Sequence, residues 1–414
     1  MLALDPVQEL IGFACLGGWL GYIFYRLEWH RQPIWVYGIL IAKLFGAWAF
    51  GWVYANYYCH GDTLRAYLTA SRLTYYLSHT PQVGLALMLR ELSASWEATG
   101  WKVFFSDTKL YGYDYDWSEP SNYRFYRLLV PFYIGAGGGY YGMQGLMALV
   151  GGLLGYAAYQ RWNKLIGFPK FFWIVWFLWP GVVFWFSGVL RDTLVLPLML
   201  YGAAWVVSVK RWRDMGGALA LVAVAILRPE AFFLGTGVGL LYRFRYTWWL
   251  LGLEAVSGGI LFVKWLVPWA YQYRQEALDP AFYPEVSNAS VFHVNFDLSL
   301  QGIFLGWLSS TLYGLFGPLP WQITKPIVVL YAIEAWIGGS LITYWTARAW
   351  VSKGWKWPYV LLLAIGLFVV GFIAMATPYW GTLARQRIYG MCWIALGLGG
   401  AAQESLKNHN DPLS

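Results

Sequence analysis

Asp62 lies in Tyr57-Tyr58-Cys59-His60-Gly61-Asp62-Thr63, where a long apolar run gives way to a stretch with helical spacing. A carboxylate placed there has two uses. It can act as a general base toward a hydroxyl, or it can cap a helix by accepting hydrogen bonds from the first unpaired N–H groups. Further on, Tyr113-Asp114-Tyr115-Asp116-Trp117 sets two carboxylates two residues apart, a spacing that permits Asp114 and Asp116 to share a divalent cation. The pattern fixes no third ligand, so a solvated acidic loop stapled by aromatic rings is the preferred reading, and no cofactor is required.

Arginines supply the complementary chemistry. Arg191 ends the turn Trp185-Phe186-Ser187-Gly188-Val189-Leu190-Arg191-Asp192, and Arg228 sits in Leu227-Arg228-Pro229-Glu230. Arg385 and Arg387 close the run Trp380-Gly381-Thr382-Leu383-Ala384-Arg385-Gln386-Arg387. A planar guanidinium binds phosphate oxygens bidentately, and an ionisable group near membrane depth is expensive to keep, so these four are candidate phosphate ligands. The competing readings are an anchor that snorkels to the interface for Arg191 and simple neutralisation of Arg228 by Glu230. Ser187 lacks a partner base for nucleophilic work, because His60, His79 and His293 are scattered through other segments. Tyr115, Trp117, Trp321 and His293 are polar or aromatic groups of the kind that stack on sugar faces.

The elements that must position these groups are written in the composition. Apolar residues are 59% of the 414 positions and charged residues 12%, about half the charged share of a soluble domain, so the chain is expected to be an all-α polytopic membrane protein. The formal charge of +8 sits mostly in short connections between apolar runs, which reads as membrane topology rather than nucleic-acid binding. Cys15, Cys59 and Cys392 are too dispersed for a disulfide framework or a metal site. The first apolar run follows acidic residues and has no cleavage-site pattern, so it is expected to be a true span.

Apolar runs predict about eleven membrane segments, near 8–26, 33–57, 138–159, 170–188, 192–209, 215–227, 230–242, 246–267, 324–346, 357–376 and 388–403. Arg and Lys recur on every second connection, which places the N-terminus outside and the C-terminus in the cytoplasm. The whole chain then reads as a single transmembrane domain, 1–414, with outer-face segments 58–128 and 268–323. Residues 215–227 and 230–242 are each too short to cross and predict a re-entrant hairpin whose tip faces a cavity. The spacing of Leu64, Leu68, Leu73, Tyr76 and Leu77 predicts an interfacial helix between Gly61 and Arg90, residues 104–127 read as a structured loop, and 303–320 reads as a helix that lies at or dips into the outer interface.

Taken in order, Gly61-Asp62-Thr63, the W-x-S-G-x-x-R-D turn ending at Asp192, Leu-Arg-Pro at 227–229, the P-x-P-W run ending at Trp321 and Gly-Thr-x-x-Arg-x-Arg before the last span resemble bacterial polytopic glycosyltransferases of the GT-C class and the related surface-polysaccharide polymerases. The resemblance implies a GT-C-like fold and a sugar donor carried on polyprenyl phosphate or pyrophosphate. It also implies a glycan, lipid or protein acceptor, and an outer-loop acid as base, for which Asp62 is the match. Two features depart from the class: the outer loop follows the second span, and Asp62 is followed by Thr63 rather than by a second acid. A transporter or flippase of lipid-linked glycans, and a non-catalytic subunit of an envelope complex, are the alternatives.

Overall fold

The computed structural model describes residues 4–26, 33–58, 62–89, 120–208, 215–247, 257–279, 291–294, 296–323 and 325–410. They are all-helical apart from one isolated bridge, Val291 to Tyr379. In chain order the helices are α1 (Pro6–Arg26), α2 (Ile34–Trp52), α3 (Asp62–His79), α4 (Pro81–Leu89), α5 (Pro120–Gly135) and α6 (Tyr140–Ile166). There follow α7 (Lys170–Phe177), α8 (Pro180–Trp185), α9 (Arg191–Ser208), α10 (Met215–Leu227) and α11 (Pro229–Arg243). The remainder are α12 (Val267–Leu278), α13 (Leu300–Phe316), α14 (Pro326–Val351), α15 (Trp357–Ala376), α16 (Trp380–Gln386) and α17 (Ile388–Asn410).

Four helical stretches among the described residues are long and apolar enough to cross a membrane: Pro6–Arg26, Ile34–Tyr57, Val328–Val351 and Trp357–Ala376. Large apolar side chains are exposed along them, among them Leu10, Phe45, Leu330 and Phe368. Such surface suits lipid, in which these side chains lose nothing by exposure. The protein is therefore a helical membrane protein.

Three expectations need correction. The run 170–188 is two short helices, because the residue before Pro180 is pushed out of the α region and the ring removes a donor. Residues 120–135, read from sequence as the end of the outer segment 58–128 and the connection before the span near 138, form one helix despite Pro131. The helix predicted to end at 267 continues as α12 to Leu278, inside the segment read as an outer loop.

The chain forms two compact units. The first comprises Met1–Ala158, Val183–Gly202 and Trp212–Gly235. In it α1 crosses the start of α6 at Gly12, where Gly139 and Gly142 leave no room for a Cβ, so the two backbones approach as small residues allow in membranes. The Glu9 carboxylate accepts from the Tyr140 and Tyr141 N–H groups at 2.7 and 3.0 Å, placing a negative charge on the helix N-terminus that the macrodipole favours. Helix α3 buries Thr63, Leu64, Ala66, Tyr67, Thr69, Ala70 and Leu73, so Leu64 and Leu73 of the predicted spacing are buried and Leu68, Tyr76 and Leu77 half-buried. It packs on α5, with the Tyr67 hydroxyl donating to the Gly138 carbonyl at 2.9 Å.

The second unit comprises Tyr159–Val182, Ala203–Arg211 and Thr236–Ser414. Helices α15 and α17 form its centre, crossing where Gly366 meets Gly390, and α13 packs on α15 through Gly314 and Val370. Residues 291–294 are stapled to α16 by stacking of Phe292 on Trp380, ring centroids 4.3 Å apart, with Val294 and Leu383 in the same cluster.

Candidate functional site

In the first unit the charged groups gather at the tip of the α10–α11 hairpin. These helices have 13 and 15 residues, about 20 Å each at 1.5 Å per residue, and neither crosses a hydrocarbon core of about 30 Å. Leu221 packs against Gly202 and Gly235 against Met199, so the hairpin rests on α9. Its tip brings Arg228 to Asp192, in the first turn of α9. The guanidinium Nη1 donates to Asp192 Oδ1, while its Nε donates to Glu230 Oε1 at 2.8 Å. The Asp192 side chain is 4% exposed, Arg228 12% and Glu230 68%. A buried acid therefore anchors the arginine from one side, and an exposed acid holds it from the other.

The turn before α9 is fixed by side chains in place of helical backbone bonds. Lys43 Nζ donates to the Phe186 carbonyl at 2.8 Å, the Val189 N–H donates to Gln144 Oε1 at 2.6 Å, and the Thr193 hydroxyl donates to the Gly188 carbonyl at 2.6 Å. These bonds satisfy backbone groups freed where the helix is interrupted, as a low-dielectric surrounding requires. Ser187 is fully buried, and no base stands beside its hydroxyl. Arg191, half-buried, opens α9 in the same unit. Asp62 is the first residue of α3, the position of either a cap or an acid at a helix mouth, and its side chain lies outside the described residues. Its neighbour Thr63 is fully buried, 3.1 Å from the Tyr140 hydroxyl.

The second unit holds the other two arginines. Arg387, at the junction of α16 and α17, is buried, with Nη2 3.8 Å from Glu334 Oε1 and Nη1 donating to the Gly314 carbonyl at 3.3 Å. The same Glu334 oxygen accepts from Trp179 Nε1 at 2.6 Å, and the Gly181 N–H bonds to this carboxylate as well. Arg385 is half-buried on the short helix α16. His293 is exposed beside Phe292, and Trp321, 77% exposed, projects from the turn before α14. Tyr115, Trp117, Asp114 and Asp116 lie outside the described residues. Among those described, no three His, Cys, Asp or Glu side chains gather as a metal site.

Gly181 offers a direct check on the Glu334 cluster. A Cβ there would overlap the Glu334 carboxylate. We expect Gly181→Ala to displace the carboxylate from Trp179 and lower thermal stability in detergent by about 1–3 kcal/mol, the usual cost of overpacking. Gly381→Ala, which meets nothing within 4 Å, should melt with the wild type. Equal melting of both variants would show that the cluster is not closely packed.

Among the described residues, sequence reasoning missed four buried charges: Lys43, Glu334, Arg274 and Glu404. Arg274 on α12 is 3% exposed and points its Nη1 at the carbonyls of Ala374, Met375 and Thr377, at 3.3, 3.2 and 3.3 Å, while Nη2 donates to the Phe292 carbonyl. Three of these acceptors stand at the C-terminus of α15, where orphan carbonyls and the helix dipole favour a cation. Burial pushes the guanidinium down to about 10, still charged at neutral pH. In the adjoining loop the Ser299 hydroxyl and N–H hold the Asp297 carboxyl below its ordinary range.

The comparisons with known proteins leave these two clusters as the main guide to function: no protein-family model matches the chain, and no curated protein or solved structure is significantly similar to it.

Proposed function

We propose that the protein is a membrane glycosyltransferase that moves a sugar from a polyprenyl-phosphate or pyrophosphate donor to an envelope glycan, lipid or protein on the outer face. The observation that carries this reading is the hairpin tip. Arg228 is held between a buried and an exposed carboxylate, on helices too short to cross, in the unit that also carries Arg191 and begins α3 with Asp62. Ionisable groups kept at such depth are costly and mark functional sites by default.

In this reading Asp62 takes the proton of the acceptor hydroxyl as its oxygen attacks the anomeric carbon. The donor's phosphate leaves with the bonding electrons of the broken C–O bond. Arginines stabilise the charge that develops on the departing phosphate. Arg228 is already shared by two carboxylates and Arg387 lies against Glu334, so each would bind phosphate only by exchanging a carboxylate partner. Arg191, half-buried, is the first unit's other candidate, and Arg385, half-buried, stands beside Arg387 in the second. Trp321 and His293 stand exposed, as sugar contacts require, and a divalent cation at Asp114 and Asp116 remains an optional addition.

The deciding experiment is transfer of labelled sugar from a polyprenyl-linked donor by purified protein, run beside movement of the same donor across vesicles. Transfer without net movement supports the enzyme, and movement without transfer makes the protein a carrier. The reading also carries a topology of about eleven membrane segments with an outer N-terminus and a cytoplasmic C-terminus. Cysteines introduced at Thr108 and Ser290 should react with a membrane-impermeant thiol reagent in intact cells, and one at Asn163 should not. Labelling at Asn163 would reverse the orientation and remove the outer-face site.

A further inference from the structure

The second unit contains an apolar groove of about 120 Å³ walled by α7, α14 and α17 and extending to Trp179. Its long axis follows Gly338, Leu341, Ile342 and Trp345 along one stripe of α14, seven residues or about 10 Å of helix. At one end Trp179 packs against Gly338 and donates to Glu334, one turn away on α14. At the other end Phe171 and Phe172 face Trp345, ring centroids 6.5 and 5.1 Å apart.

Two cations stand at this second end. The Arg348 guanidinium lies 5.2 Å from the Trp345 ring centroid, and exposed Lys170 immediately precedes Phe171. No Asp or Glu occurs in 120–191 or 335–403, the stretches that supply all three helical walls in the groove. The groove is therefore hydrocarbon-like over two helical turns and positive only at the mouth. A docking helix would need a run of small residues along the walls to bring backbones together, and here only Gly338 and Ala395 are small among lining residues that are otherwise Phe, Trp, Val, Leu, Ile and Met. A flexible chain with an anionic head fits both the lining and the charge.

We propose that this groove is a lipid site, taking one acyl chain of an anionic phospholipid along α14 and holding its phosphate between Arg348 and Lys170. Arg348 supplies a planar fork for phosphate oxygens and Lys170 a point charge. The site is independent of the glycosyltransferase reading, and its occupant is a bilayer lipid rather than a substrate.

The test uses the full-length protein, delipidated in detergent and titrated with phosphatidylglycerol or phosphatidylcholine of matched chains, with bound lipid counted by native mass spectrometry. Each basic residue near a phosphate is worth about fivefold in binding, so the wild type should prefer phosphatidylglycerol by about thirtyfold. Replacing both cations together, Lys170→Gln with Arg348→Gln, should bring that preference close to unity without altering melting, since both positions are exposed. Leu341→Trp, at a 38% exposed position, should fill the groove and weaken both lipids, with Ala395→Leu as a second filling variant should the first fail to fold. No preference in the wild type, a preference that survives loss of both cations, or wild-type binding by a folded groove-filled variant would each overturn the proposal.

Discussion

Asp62→Asn lowers sugar transfer about a hundredfold or more while donor binding and thermal stability stay at wild-type levels; that is the result expected if Asp62 is the general base. Asn keeps the size of the side chain and an oxygen that can cap the first turn of α3, so folding is preserved. What it loses is the ability to take a proton. The assay follows labelled sugar leaving a polyprenyl-linked donor, with binding and melting measured on the same preparations. If transfer, binding and stability fall together, Asp62 is a cap and the base lies elsewhere. If transfer is unchanged, the carboxylate has no part in the chemistry.

The second large effect concerns Arg274. Replacing it by Met keeps much of the apolar stem and removes the only charge that reaches the Ala374, Met375 and Thr377 carbonyls together with that of Phe292. A buried acceptor left without a donor costs about 1–3 kcal/mol, so four acceptors sharing one guanidinium should lose about 3 kcal/mol or more between them. Arg274→Lys supplies one compact ammonium for the same four oxygens and should recover only part of the loss. Thermal unfolding in a fixed detergent reads both variants. Wild-type melting of Arg274→Met would mean that water, rather than the guanidinium, satisfies the end of α15.

Much of the fold was legible because an apolar run declares its own length. The predicted 215–227 and 357–376 coincide with α10 and α15, and the short hairpin follows from counting residues against membrane thickness. The break within 170–188 was less visible, although Pro180 announced it, because aromatic and aliphatic residues continue on both sides. Helix α5 was missed because Pro131 and its mixed polar face conceal the period.

The charged clusters divide in the same way. Arg228 and Glu230 are neighbours in sequence, and their pairing could be expected. Asp192 joins them from 36 residues away, which no local pattern reveals. Lys43 and Glu334 did leave a signal, each being a lone charge inside an apolar run, and the cost of such a residue in lipid was reason enough to single them out. Arg274 left none, since its partners are backbone carbonyls that any sequence would supply.

The hydrogen bond from Lys43 to the Phe186 carbonyl also bears on how the chain is made. Its acceptor is synthesised 143 residues after the lysine, so at about 5–20 residues per second the ammonium waits roughly 7–29 s for its partner. A lysine at the centre of an inserting helix costs about 2.5–3.5 kcal/mol on the translocon scale. During that interval α2 is a segment whose commitment to the bilayer is provisional, stabilised by its apolar neighbours and by the insertion machinery rather than by its final contact. Glu9, whose donor partner, the Tyr140 N–H, lies 131 residues downstream, waits in the same way. Arrival of the Phe186 turn then acts as a late latch, fixing α2 only after most of the first unit has been translated.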